Sequence, residues 1–220
     1  MDLLLLFDMD GTLLDSNGIW IRVDQEFLMR RGLTYTKEYY NGVAHTTFPL
    51  AARFTRAYGA LQESEEEIMA EWMELAGDFY ANQVRLKPHV KKFLERCSKQ
   101  NENMAILTSA VPKHCYAALQ RHCLQPFFRH LIFAQELGLE KRDPKIFFRA
   151  AEICGATPEH CVFFDDSLLA CRSAVSTGMT VIGVYDEYFA QDQEEMQRCC
   201  HRYIHHFGEL LSEGGMSGAI

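Results

Sequence analysis

Two short acidic strings, Asp8-Met9-Asp10 and Asp165-Asp166, each follow directly on an apolar run, and they are the residues of this chain best suited to chemistry. Side chains alternate along an extended backbone, so Asp8 and Asp10 point to one side of it. Carboxylates held that close repel each other unless a cation sits between them or one of them takes a proton. An oxygen-only, carboxylate-rich set suits Mg²⁺, which keeps some of its waters and pairs with phosphate oxygens. Two further positions complement the acids. Thr108-Ser109 supplies hydroxyls and backbone amides, and Lys141 in Glu140-Lys141-Arg142-Asp143-Pro144-Lys145 supplies a point charge for a phosphate, with Lys145 as the alternative.

The elements that must position these residues follow from the apolar runs. Leu3–Phe7, Met104–Leu107, Cys161–Phe164, Val181–Val184 and, more weakly, His130–Phe133 are short and nearly all apolar, as strands buried on both faces are. Helical periodicity lies between them, as in Val90, Phe93, Leu94 and Cys97, or Ile146, Phe147, Ala150 and Ala151. Strands alternating with helices imply an α/β fold, a Rossmann-like parallel sheet sandwiched in three layers. Ligands of such sheets collect at the carboxyl ends of the strands, where both acidic strings stand. Residues 15–85 interrupt the rhythm, with several amphipathic helical stretches and no comparable strand. In one of them Ser64-Glu65-Glu66-Glu67 matches a helix-capping box, followed by Ile68, Trp72, Ala76 and Phe79 on one face. The expected organisation is an α/β core of residues 1–14 and 86–220 and an inserted helical cap of residues 15–85. The glycine-rich tail 214–218 reads as unstructured.

At this point the chain resembles the haloacid dehalogenase-like hydrolase superfamily, in the helical-cap subgroup similar to β-phosphoglucomutase and phosphoglycolate phosphatase. The resemblance spans nearly the whole chain. It rests on Asp8-Met9-Asp10-Gly11-Thr12, then Thr108-Ser109, then Lys141, then Asp165-Asp166 with Gly178-Met179, in that order. It implies Asp8 as nucleophile and Asp10 as general acid and base. It also implies Thr108, Ser109 and Lys141 on the phosphate, and Mg²⁺ held by Asp8, Asp10 (through its main-chain carbonyl), Asp165 and Asp166. Members acting on carbon–halogen bonds generally lack the second aspartate, so Asp10 points to phosphoryl transfer. Arg142 stands where the lysine motif often has proline, and Ala170 where many members carry a further acid; the side-by-side Asp165-Asp166 pair resembles the β-phosphoglucomutase variant instead. The inserted cap is expected to close over the site and choose the leaving group, with Trp20, Tyr39, Tyr40, Gly42, His45 and Thr46 as candidate contacts. Related phosphomutases carry a cap histidine where this chain has Trp20, which favours hydrolysis over mutase chemistry. The expectation is a Mg²⁺-dependent phosphatase for a small phosphorylated metabolite, working through an aspartyl-phosphate. A sugar phosphomutase and a non-catalytic phosphate-binding protein are the alternatives.

Composition narrows the partners. The formal net charge is −8 and basic residues occur at most in pairs, so no basic stripe is available for nucleic acid or an acidic membrane. No apolar stretch approaches the ~20 residues of a membrane span. The 8 cysteines all fall between Cys97 and Cys200 without a CxxC pair, unlike a secreted disulfide framework, and a reducing, cytoplasmic setting is expected. Cys199-Cys200-His201 through His205-His206 fits no zinc spacing and reads as a soft-residue strand and helix.

Overall fold

The structure, a computed structural model, describes residues 3–43 and 46–211. His45 and the tail 214–218 lie outside the described residues. In chain order the elements are β1 (Leu4–Phe7), β2 (Leu14–Asp15), α1 (Ile19–Met29), α2 (Lys37–Val43), α3 (Phe48–Tyr58), α4 (Glu65–Asn82) and β3 (Arg85–Leu86). They continue with α5 (Val90–Lys99), β4 (Asn103–Thr108), α6 (Pro112–His122), β5 (His130–Phe133), α7 (Lys145–Ile153), β6 (Cys161–Asp165), α8 (Leu168–Val175), β7 (Thr180–Val184), α9 (Gln193–Cys199) and β8 (Arg202–Ile204).

Six strands form one parallel sheet in the order β5-β4-β1-β6-β7-β8. The first apolar run is therefore central, with Leu4 opposite both Asn103 and Cys161. Its side chains divide by alternation. Leu4 and Leu6 join Leu107, Phe163 and Val181 on one face, packed against Ile146 and Phe147 of α7, Cys171 and Ala174 of α8 and Met196 of α9. On the other face Phe7 stacks on Phe164 at 4.6 Å and meets Phe93 of α5 and Phe207 edge-on or tilted, at 6.3 and 6.4 Å. Helices thus cover the sheet on both sides, and a run with no polar position is what such a strand requires. Each of the buried Leu, Ile, Val, Phe and Met side chains contributes about 1.5–3 kcal/mol by leaving water.

The chain forms two compact units, one made by the chain up to Asn17 and from Val84 onward, the other by Gly18–Gln83. The expected limits were residues 15 and 85. The difference arises because Leu14–Asp15 and Arg85–Leu86 pair as an antiparallel ribbon and count with the α/β unit; strands of two residues leave no periodicity in the sequence. The Gly18–Gln83 unit contains α1 to α4. Its core is aromatic, Phe27 against Trp72 at 5.8 Å and Trp72 against Phe48 at 5.3 Å, and Ser64 opens α4 with both bonds of the capping box. Among the described residues no helix is long and apolar enough to cross a membrane.

Candidate active site

The site is assembled by strand register. Asp8 follows β1, and its N–H donates to the Phe164 carbonyl of β6 at 2.9 Å, so Asp8 and Asp165 stand on adjacent strand ends. Gly11 then turns the chain with φ +79°, in the left-handed region that favours glycine. The Leu13 and Leu14 N–H groups close that turn onto the Met9 carbonyl at 3.0 and 2.8 Å. The turn brings the next residues back to the acids: Ser16 Oγ donates to Asp10 Oδ1 at 2.5 Å, and Asn17 Nδ2 donates to Asp166 Oδ2 at 2.6 Å. Thr12 Oγ1 donates to the other Asp166 oxygen at 3.2 Å.

Lys141 Nζ bridges Asp8 Oδ1 and Asp165 Oδ2, the latter at 2.7 Å, whereas Lys145 opens α7 and is exposed. Asp165 is further held by the Ser167 N–H on Oδ1 at 2.7 Å. Asp8, Asp165 and Asp166 are buried, and each offers a ligand oxygen within 4.8 Å of the other two. Burial pushes the Asp8 carboxyl well above its ordinary range; Asp165 and Asp166 push it further and Lys141 opposes them. Asp166 is raised to about 7, by burial first and then by Asp165, against Lys141 and the Asn17 bond. Burial alone would depress the Lys141 ammonium, but Asp165 and Asp8 outweigh it and hold it above its ordinary value. Three carboxylates against one ammonium leave a formal deficit of two positive charges, and the donors are all hard oxygens. That set fits a divalent cation such as Mg²⁺.

The remaining candidates fall into different places. Thr108 ends β4, buried, and its Oγ1 accepts the Ala110 N–H at 3.0 Å, while Ser109 beside it is exposed. Trp20 is 40 % exposed and Thr46 exposed, whereas Tyr39 is not a surface residue at all. Its ring is fully buried and its hydroxyl meets Asp24 Oδ1 at 3.1 Å and Thr55 Oγ1 at 2.8 Å, which makes it a core residue of the helical unit. Gly42 likewise lies so close to the Phe54 ring that a Cβ would stand 2.1 Å from it. The Cys199–His206 string contains the end of α9 and strand β8, and among the described residues only the Asp8-Asp165-Asp166 group could hold a metal. The sequence reading missed Ser16, Asn17 and Thr12 as partners of the acids. The available signal was their position one turn beyond the first acidic string.

The α/β sheet, the central acid-bearing strand and the inserted helical unit are those of a known family. The chain belongs to the haloacid dehalogenase-like hydrolases, whose family model matches residues 5–184. It is similar to the phosphorylated carbohydrates phosphatase of Thermotoga maritima, 22 % identical over 79 % of this chain and 81 % of that one. It is also similar to the phosphoglycolate phosphatase of Pseudomonas putida, 27 % identical over 82 % of this chain and 68 % of that one. The crystal structure of CbbY from Rhodobacter sphaeroides in complex with phosphate has the same fold, with a TM-score of 0.73, 22 % identity and 99 % of each chain covered.

Proposed function

We propose that the protein is a Mg²⁺-dependent phosphatase that hydrolyses a small phosphorylated metabolite through an aspartyl-phosphate. The observation that carries this reading is the buried group of Asp8, Asp165 and Asp166 around Lys141 at the ends of β1 and β6. The phosphatase names of the two relatives support the reaction class, and the small phosphorylated compounds in those names support the size of the substrate.

Asp8, Asp165 and Asp166, with the Asp10 main-chain carbonyl, would hold the cation. Bound there, a divalent cation neutralises carboxylates and phosphate oxygens together, so that two anions can approach. Every other part falls to the chain itself. An Asp8 carboxylate oxygen attacks phosphorus while the bond from phosphorus to the ester oxygen breaks. Asp10, half-buried and oriented by Ser16, gives its proton to the departing oxygen, then takes one from the water that attacks the aspartyl-phosphate, releasing inorganic phosphate and restoring Asp8. Lys141 already touches Asp8 and would share its charge with the transferring group, worth ~10² to 10³-fold for a donor of this kind. Ser109 and the Thr108 turn offer a hydroxyl and backbone amides to the phosphate oxygens.

Phosphate release from sugar phosphates, phosphoglycolate and nucleoside monophosphates, with Mg²⁺ and with EDTA, tests this. We expect release from at least one compound with Mg²⁺ and none above background with EDTA. Turnover that EDTA leaves intact would overturn the cation requirement, and an absence of release from every compound would overturn the phosphatase reading.

A further inference from the structure

Ser16 and Asn17 are consecutive, yet they serve different acids: Ser16 bonds Asp10, and Asn17 bonds Asp166, 149 residues away in sequence. Asp166 is 4 % exposed and both its oxygens are occupied, Oδ1 by the Thr12 hydroxyl and Oδ2 by the Asn17 amide. Only the Nδ2 side of an amide can face a carboxylate oxygen at 2.6 Å, because a carbonyl oxygen there would be repelled. Each carboxylate oxygen has two acceptor directions, so one bond to each fixes the plane of the Asp166 carboxylate and leaves a direction free on both. The space for this bond is made by Gly11. A Cβ at Gly11 would stand 2.1 Å from Asp166 Oδ2 and 2.2 Å from Asn17 Nδ2. The backbone of the first acidic string is thus kept bare where the Asn17–Asp166 pair crosses it.

We propose that Asn17 is a positioning residue for the divalent cation: its amide holds the Asp166 carboxylate in the orientation from which the free acceptor directions converge with those of Asp8 and Asp165. The inference rests on the Mg²⁺ reading above and extends it to a residue outside the motif. Thr12 alone does not suffice for this, since one bond to one oxygen leaves the carboxylate free to turn about its own axis. Asn17 is also the last residue before the Gly18–Gln83 unit, so the cation's affinity is set in part by the residue at which the chain leaves the α/β unit.

Calorimetric titration of Mg²⁺ into metal-stripped full-length protein tests the role apart from turnover. The variants are Asn17→Ala and Asn17→Leu, the second deleting the donor while keeping the branched shape, with Asp166→Asn for comparison. Removing an outer partner of a metal ligand costs about 10-fold in affinity or more, so both Asn17 variants should bind Mg²⁺ at least ~10-fold more weakly, while the metal-free variants still melt cooperatively as folded proteins. A dissociation constant within twofold of wild type in either variant overturns the Asn17 role alone. Wild-type protein that takes up no Mg²⁺ overturns the cation reading, and the Asn17 role with it.

Discussion

Both units bury polar groups, and they do so for opposite ends. In the α/β unit one buried cluster is crowded with acids, Asp8, Asp165 and Asp166, and Lys141 is the cation that meets them. In the helical unit the corresponding cluster is Asp24, Tyr39 and Thr55, in which a single acid accepts from a phenol that also meets a hydroxyl. The second arrangement is self-sufficient, since each group has a partner and the one acid can be neutral. The first, with its three acids ionised, carries a formal excess of two negative charges beyond Lys141, and burial therefore raises Asp8 and Asp166. A buried polar cluster therefore points to chemistry by what it lacks, and a satisfied one points to packing.

The contrast can be broken most directly at the nucleophile. Asp8→Asn keeps the shape of the side chain and should lower phosphate release by about 10³-fold or more, read from steady-state kcat, because the attacking oxygen is gone. Lys141→Met should cost stability as well as activity. Removing one partner of a buried ion pair is worth ~3–5 kcal/mol, so urea unfolding in EDTA should show a loss of that order. Tyr39→Phe probes the other unit. It leaves Asp24 and Thr55 without the phenol and should lower stability by about 1–2 kcal/mol, with kcat/KM within twofold of wild type. A large kinetic effect there would return Tyr39 to the substrate.

The smallest effect sharpens the comparison through pH. Burial raises Asp24 to about 6, against the Tyr39 bond, so the folded protein holds that proton more tightly than the unfolded chain does. A raised carboxyl contributes its stability below the unfolded value and loses it as pH rises through about 6. Asp24→Asn, which keeps the acceptor and removes the charge, should therefore exceed wild type in stability by about 1 kcal/mol at pH 7. The gap should close as the pH falls towards 4, and a gap independent of pH would show that Asp24 stays ionised.

The parallel sheet and the acids were legible in the sequence because β1 and β6 are nearly unbroken apolar runs that end on aspartate, and strand ends of such sheets face the crevice. Lys141 was legible by its motif, and its distinction from Lys145 needed the structure, where Lys145 opens a helix. Tyr39 is buried and Tyr40 beside it exposed, and a Tyr-Tyr pair on a short helix gives no sign in the sequence of which ring turns inward. Asn17 was passed over because its partner is 149 residues distant, and no local pattern encodes a bond of that range. The limits of the inserted unit shifted for a similar reason, since β2 and β3 define each other only by pairing across it.

The central place of β1 bears also on how the chain is made. Leu4–Phe7 is synthesised before both of its partners, since its two edges pair with Asn103–Ile106 and with Cys161–Phe164. At about 5–20 residues per second the second partner is synthesised roughly 10–30 s later. Until then four consecutive apolar residues have an open edge, although all of Gly18–Gln83 has been synthesised. The strand that leads to the nucleophile is thus an aggregation hazard of the nascent protein, and the crowded acids after it keep that hazard short.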